Sequence, residues 1–269
     1  LVVINEYLLS VARLGCKAII ITGGGEPTLY PAFKLILQTI KKLGMEYALI
    51  TNGTTISQQN LFVYDFSWVR ISVNNNPFWI KRFMENKHKF LKTTIVGLSF
   101  IYSGKNKEFK PADLLLFADH INAEYIRLLP DCMPENDKLE ESYSELRSWL
   151  GKRHDKRFFI QEKKHLAPKS VICHQAYFRP YLSELNGGTV FPCDSIPLNS
   201  STGQFNDKYA LCKPEEIYKF LKKDIIQDFN CLIDCHGCVF THNVDLLHDF
   251  MTDPEPKWIT KEVKHKNFV

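Results

Sequence analysis

The chain has 269 residues, 45% hydrophobic and 24% charged, with a formal net charge of +4, enough to bury a real core in one large domain or two smaller ones. Its basic residues are scattered among acids, so no footprint for nucleic acid or a membrane surface is expected. No apolar run reaches the ~18 residues of a membrane span and no basic-then-apolar leader opens the chain, so the expected location is the cytoplasm.

The sequence opens at Leu1 rather than a methionine, directly inside an expected helix, which predicts a further segment upstream. From about Ile4 to Leu14 apolar residues recur at Leu8, Leu9, Val11, Ala12 and Leu14, and Gly15 follows as a cap. This is an amphipathic helix feeding the first strand. Cys16, between cap and strand, reads as a small core residue. Ile19-Ile20-Ile21-Thr22 then runs into Gly23-Gly24-Gly25-Glu26-Pro27-Thr28. An apolar, β-branched run is how a buried strand of a parallel sheet reads, and glycines after it let a backbone approach a ligand. Ligands of α/β folds sit at the C-terminal ends of strands, so Glu26 stands at the mouth of a site, where a carboxylate suits an ammonium group. The same glycines also fit a plain strand-to-helix turn. The Lys-Ser/Thr ending of a phosphate-binding loop is absent.

A helix is expected over 32–43, closed by Gly44, and then a strand over 47–51 that ends in Thr51-Asn52-Gly53-Thr54. Asn52-Gly53 equally fits a turn pair with positive φ. The next strand ends in Ser72 and Asn74, with Ser72 facing away from Ile71 and Val73. A helix over 78–90, a strand over 94–101, a helix over 112–120 and a strand over 125–130 follow. Arg127 alternates with Ile126 and Leu128, placed either to pair a carboxylate at the strand ends or to form a surface or structural ion pair. Strands alternating with helices at this rhythm predict a parallel sheet with right-handed crossovers. Five strands are read this way. A charged stretch over 133–169 holds a helix near 139–150, and Phe158-Phe159-Ile160 is expected as a short strand before the next unit.

Six of the eight cysteines crowd the last hundred residues: Cys173, Cys193, Cys212, Cys231, Cys235 and Cys238. In a reducing compartment such a cluster favours metal over disulfides. Asn186-Gly187-Gly188, between Leu182–Leu185 and Thr189–Phe191, signals a hairpin that brings Cys173 and Cys193 toward one site. Cys235-His236-Gly237-Cys238 supplies two thiolates able to grip one metal. Spacing alone leaves zinc and an iron–sulfur cluster both open. Cys212 reads as structural, and His174, His236 and His242 as flanking residues rather than ligands. A helix is expected around Val244 to Phe250, and a tail with no assigned function from Asp253.

Thr22-Gly23-Gly24-Gly25-Glu26-Pro27-Thr28-Leu29-Tyr30-Pro31 resembles the GGEP motif of radical S-adenosylmethionine (radical SAM) enzymes, on the second strand of their partial barrel. The resemblance implies an α/β fold, a partial (β/α)6 TIM-like barrel missing its first strand here, plus a small Cys-rich cluster-binding domain. The expected division is 1–165, 166–250 and a tail over 251–269. By the same resemblance Gly23, Gly24, Gly25 and Glu26 hold the amino end of the SAM methionine. Thr51, Asn52, Ser72 and Asn74 then lie near its carboxylate or ribose. The family's Cys-x3-Cys-x2-Cys loop is absent from residues 1–60, where Cys16 is the only cysteine, so the SAM-binding cluster is expected upstream. Cys231-x3-Cys235-x2-Cys238 has that spacing, but after the barrel strands.

Cys173-x14-Gly188-x4-Cys193, followed by a Cys-x2-Cys, resembles the SPASM/twitch extension of these enzymes. It implies one auxiliary 4Fe–4S cluster on Cys173, Cys193, Cys235 and Cys238, with Cys231 a competing ligand and zinc the alternative metal. The implied activity is reductive cleavage of SAM and hydrogen abstraction from a peptide, protein or small-molecule substrate. An electron donor such as flavodoxin or ferredoxin would serve it. The alternative is a catalytically incompetent barrel with a structural zinc or Fe–S module, acting as a binding or scaffold protein. Neither reading involves nucleic acid or a membrane.

Overall fold

The structure is a computed structural model that describes residues 1–74, 76–85, 90–103, 108–131, 139–152, 155–163, 168–184, 187–198, 207–234, 238, 240–253 and 268. In chain order, α1 (Val2–Arg13), β1 (Ala18–Ile21), α2 (Phe33–Lys42), β2 (Glu46–Thr51) and β3 (Trp68–Ser72) come first. Then follow α3 (Pro77–Glu85), β4 (Ile95–Tyr102), α4 (Pro111–Ile121), β5 (Tyr125–Pro130), α5 (Leu139–Leu150) and β6 (Phe158–Ile160). The remainder comprises α6 (Gln175–Phe178), β7 (Tyr181–Ser183), β8 (Thr189–Phe191), α7 (Ser195–Leu198), α8 (Ile217–Leu221), α9 (Cys231–Asp234) and α10 (Thr241–Thr252). Residues 86–89 of the expected helix over 78–90, and nearly all of the tail beyond Asp253, lie outside the described residues. Among the described residues no helix is long and apolar enough to cross a membrane.

The chain divides into two compact units. One comprises Ala18–Leu37 and Glu46–Glu162; the other comprises Leu1–Lys17, Gln38–Met45 and Lys163–Val269. The first is built on a six-stranded sheet in the order β1-β2-β3-β4-β5-β6, every neighbouring pair parallel. Such steady progression in one direction is the winding of a TIM-like barrel, whereas a doubly wound sheet reverses at a switch point. The fold is α/β and compatible with a partial barrel of this kind. Phe158–Ile160, expected ahead of the next unit, is instead the sixth strand, with Phe158 opposite Ile126 and Ile160 opposite Leu128. Three residues carry too short a period to declare their partner; the pairing with β5 does so.

Register sorts the sheet's side chains onto two faces. Ile50, Arg70, Gly97 and Tyr125 form one row, and Ser72, Ser99, Arg127 and Phe159 the next. Alternate residues of a strand share a face, so both rows lie on the same side. The opposite side carries Leu49, Val69, Ile71, Leu98, Ile126 and Leu128, each buried, and there α4 and α5 pack on β4 and β5. Trp79 and Phe83 of α3 join Phe117 of α4 in an aromatic cluster, with ring centroids 4.7–5.7 Å apart. Fully burying each such side chain stabilises the fold by about 1.5–3 kcal/mol.

In the second unit α1 packs on α8 and on the 3-10 turn Pro214–Glu216 through an apolar stripe whose Tyr7, Leu8 and Val11 are buried. The Tyr7 hydroxyl donates to the Pro180 carbonyl (3.3 Å), and the Leu1 ammonium pairs with Glu184 (3.4 Å). Burial holds the Tyr7 phenol well above its ordinary pKa. The expected hairpin is present: β7 and β8 are antiparallel, with Leu182 opposite Val190. Gly187 and Gly188 both turn at positive φ (81° and 89°), and Asn186 lies outside the described residues. A side chain at Gly188 would meet Val3 Cγ1 at 2.4 Å, so the hairpin turn is packed directly beneath α1.

On the sheet's less buried face, the Tyr125 ring lies across Gly97, where a Cβ would stand 2.1 Å from its Cζ. Gly97→Ala is expected to cost about 1–3 kcal/mol by overpacking. In a Tyr125→Ala background most of that cost should vanish; a urea-denaturation double-mutant cycle that comes out additive would refute the contact.

Candidate functional site

The loop after β1 is organised by the Glu26 carboxylate. Its Oε1 accepts from the Thr28 amide (3.1 Å), the Thr28 hydroxyl (2.5 Å) and the Thr51 hydroxyl (2.6 Å), and its Oε2 accepts from the Asn52 amide (2.6 Å). Glu26 thereby caps the 3-10 turn Pro27–Leu29 and ties the end of β1 to the end of β2. Thr28, Thr51 and Thr55 are all buried, and the Thr28 and Thr55 hydroxyls are in short contact. A carboxylate offers about four acceptor sites, two per oxygen. Oε1 is filled from within the protein, while Oε2 keeps room for one more donor.

The residues beside this clamp have mixed availability. Gly24 and Gly25 are exposed, a Cβ at Gly25 would meet nothing within 4 Å, and one at Gly23 would come nearest the backbone of the loop's own Gly25 (carbonyl oxygen 3.5 Å, amide nitrogen 3.7 Å). The cradle is open. Asn52 turns its Oδ1 onto the Thr54 amide (2.9 Å) and hydroxyl (2.8 Å), while its carbonyl accepts from Trp79 Nε1 (2.7 Å). Gly53 sits at φ +78°, and a Cβ there would reach Ile71 Cγ2 at 2.9 Å, so the turn reading of Asn52-Gly53 holds for its backbone. Ser72 and Asn74 are exposed at the end of β3, where Asn74 Oδ1 accepts from the Asn76 amide (2.9 Å). Glu26, Thr51 and Asn52 thus form one bonded group, with Ser72 and Asn74 outside it.

Arg127 is half-buried on the same sheet face as Ser72. Its Nη1 donates to Ser99 Oγ (3.0 Å) and its Nε to Gln161 Oε1.

The described cysteines fall into groups rather than one set. Cys193 and Cys238 interact electrostatically, and the Phe240 amide donates to Cys238 Sγ (3.3 Å). Burial pushes the Cys193 thiol up to about 12, with neighbouring charges of Asp194 and Cys238 adding to it, against the amides of Ile196 and Ser195, which favour the thiolate. Cys173 and Cys231, both buried, are joined through Gln227. Its Oε1 accepts from the Cys173 amide (3.0 Å), and its Nε2 reaches the Val171 and Phe229 carbonyls (2.9 Å each) and Cys231 Sγ (3.8 Å). Cys235 and His236 lie outside the described residues. Among the described residues no three His, Cys, Asp or Glu side chains gather as a metal site. Two thiols ringed by N–H donors nevertheless suit thiolates whose charge a metal would balance, and in this respect Cys193 and Cys238 fit. Cys212 bridges by its backbone to Val190 of β8, a structural placement, and burial pushes its thiol up to about 12. His174 is buried against His248, its Nε2 3.0 Å from His248 Nδ1, and that burial lowers its pKa.

Thr28, Thr55, Gln227 and Gln161 carry these arrangements and were not singled out from the sequence. Threonine and glutamine have no distinctive spacing, and a glutamate that caps a 3-10 turn falls outside the usual Ser/Thr/Asp/Asn cap signal.

No protein-family model matches the chain, and no curated protein matches it. Among solved structures it is similar to archaeal TYW1 (15% identity, TM-score 0.38), over 49% of this chain and 50% of that one. It is similar to Streptococcus suis SuiB (13% identity, TM-score 0.49), over 80% of this chain and 60% of that one. It is also similar to SuiB bound to S-adenosylmethionine (13% identity, TM-score 0.47), over 91% and 66% respectively. All three TM-scores lie below one half, and the chain spans half to two thirds of the lengths of these proteins.

Two outcomes test the site. Glu26→Gln turns an amide NH2 toward groups that already donate, and the expected loss of stability is about 1–3 kcal/mol by urea titration; an unchanged midpoint would deny the clamp. In the metal-free chain at pH 8, Cys193 should react with iodoacetamide on the order of a hundredfold or more slowly than it does in the unfolded chain, because its thiolate is scarce. Peptide mass mapping of the alkylated sites reads that rate directly.

Proposed function

We propose that this chain carries the SAM-binding barrel and the cysteine-rich part of a radical SAM enzyme. The observation supporting the reading is the open glycine loop at the C-terminal end of β1, in a singly wound parallel sheet, closed by an acid bonded to the end of the next strand. In this reading the Gly23–Gly25 backbone receives the amino end of the SAM methionine, and Glu26 Oε2 accepts from its ammonium. Thr51 holds Glu26 Oε1 and so aims Oε2 outward. Asn52 supports the loop through its backbone, and Ser72 and Asn74 meet the carboxylate or ribose from β3.

SAM and a reduced 4Fe–4S cluster supply, when bound, the one-electron chemistry that abstracts hydrogen from a substrate. The protein's part is to orient SAM and keep the substrate on the open sheet face. The reading needs three further cysteines for the SAM-binding cluster, which residues 1–60 with Cys16 alone do not supply. Cys173, Cys193, Cys235 and Cys238 are the ligand set for one auxiliary cluster of the SPASM/twitch kind, with Cys231 competing and zinc as the alternative. Support for a metal comes from the N–H donors around Cys193 and Cys238. A peptide, protein or small-molecule substrate and a flavodoxin- or ferredoxin-type donor complete the reading, in the cytoplasm.

One observation favours the second reading, a binding or scaffold protein: three of Glu26's four bonds converge on one oxygen from within the fold. A single variant separates the two. Gly25→Val enters empty space, so its unfolding midpoint should match that of the parent. Its SAM affinity by calorimetry should fall about tenfold or more by blocking the cradle. Equal SAM affinity, or no SAM binding by the parent, would favour the scaffold.

A further inference from the structure

We infer that Trp79 is a positioning residue for the candidate site: its indole N–H locks the Asn52–Gly53 peptide and, through it, aims the Glu26 carboxylate. The inference rests on the reading above for the ligand that Glu26 receives, though not for the coupling itself. Trp79 Nε1 donates to the Asn52 carbonyl (2.7 Å). The N–H of the same peptide, on Gly53, donates to Thr51 Oγ (3.0 Å), and the Thr51 hydroxyl donates to Glu26 Oε1 (2.6 Å). Hydrogen bonds therefore run head to tail from α3 to the carboxylate. Their direction has no alternative, because indole and amide N–H groups only donate and an ionised carboxylate only accepts. Each bond in such a chain polarises the next, and a peptide passes that polarisation from its carbonyl to its N–H.

The residue whose carbonyl Trp79 holds also meets the other carboxylate oxygen: the Asn52 amide donates to Glu26 Oε2 (2.6 Å), the oxygen with room for one more donor. Gly53 stands at φ +78°. Glycine populates both signs of φ, so backbone sterics do not themselves prevent a flip of the Asn52–Gly53 peptide. A flipped peptide would turn its carbonyl away from Trp79 and its N–H away from Thr51, leaving the Thr51 hydroxyl free to swing off Glu26. The indole N–H opposes that flip. Its own ring is fixed, being 5% exposed, stacked on Phe83 of the same helix (4.7 Å) and met edge-on by Phe117 of α4 (5.7 Å). Both neighbours in this cluster are phenylalanines, so a third would serve the packing. What tryptophan adds is the N–H, and that group points at the site's own turn.

Trp79→Phe keeps the ring stack and removes the N–H. In the full chain its SAM affinity by calorimetry should fall about tenfold. Phe117→Leu loosens the same cluster but keeps the N–H, so it should lower the urea midpoint and hold SAM affinity within about twofold of the parent. Equal SAM affinity in Trp79→Phe overturns the inference, as does an equal loss in Phe117→Leu, since packing alone would then be at work. A second measurement needs no SAM. In the isotope-labelled chain the Trp79 indole N–H resonance, identified by its absence in Trp79→Phe, should shift in Thr51→Val, which lacks the hydroxyl. It should return toward the parent position in Thr51→Ser, which restores one. An indole resonance unmoved by Thr51→Val overturns the coupling, as does a shift in Thr51→Ser as large as that in Thr51→Val. If the parent binds no SAM, the radical SAM reading fails and the indole resonance alone decides the coupling. SAM binding with an unmoved indole resonance sinks this inference and leaves that reading intact.

Discussion

The carboxylate of Glu26 is the constraint on which the candidate site depends. Two parallel strands that end side by side diverge into separate loops, and nothing in the ladder itself keeps those loops together. Here one acid spans the gap, accepting from Thr28 on its own side and from Thr51 and Asn52 on the other. A partly buried carboxylate is tolerable only when its oxygens are met by donors, and charge-assisted bonds of this kind are the stronger ones. The same bonds that stabilise the loop direct one oxygen inward and leave the other its spare capacity. In the proposed reading structure and ligand binding are therefore not rival uses of this residue, because Oε2 carries only the Asn52 amide.

The sheet's winding does the remaining work of division. Since every strand joins its sequence neighbour in the same direction, right-handed crossovers place the connecting helices on one side. That side is where the buried aliphatic residues lie and where α4 and α5 pack. The other side carries Arg70, Ser72, Ser99 and Arg127 in positions that alternate with core residues. Polarity on one face and burial on the other follow from a single topological choice.

How much of this was legible beforehand differs by residue. The β-branched run Ile19–Ile21, the cap glycines Gly15 and Gly44 and the hairpin around Gly188 could be read directly, because each is a local signal with a local cause. Both cap glycines take positive φ, at 88° and 73°. Phe158–Ile160 could be seen as a strand but not placed, since its position depends on pairing with β5 and no local pattern encodes a partner. Glu26 was visible as an acid at a strand end, yet its bonds to Thr51 and Asn52 cross some 25 residues of chain and leave no periodic trace. Gln227 was illegible for the same reason, as a lone polar residue whose meaning lies wholly in the buried carbonyls and cysteines it reaches.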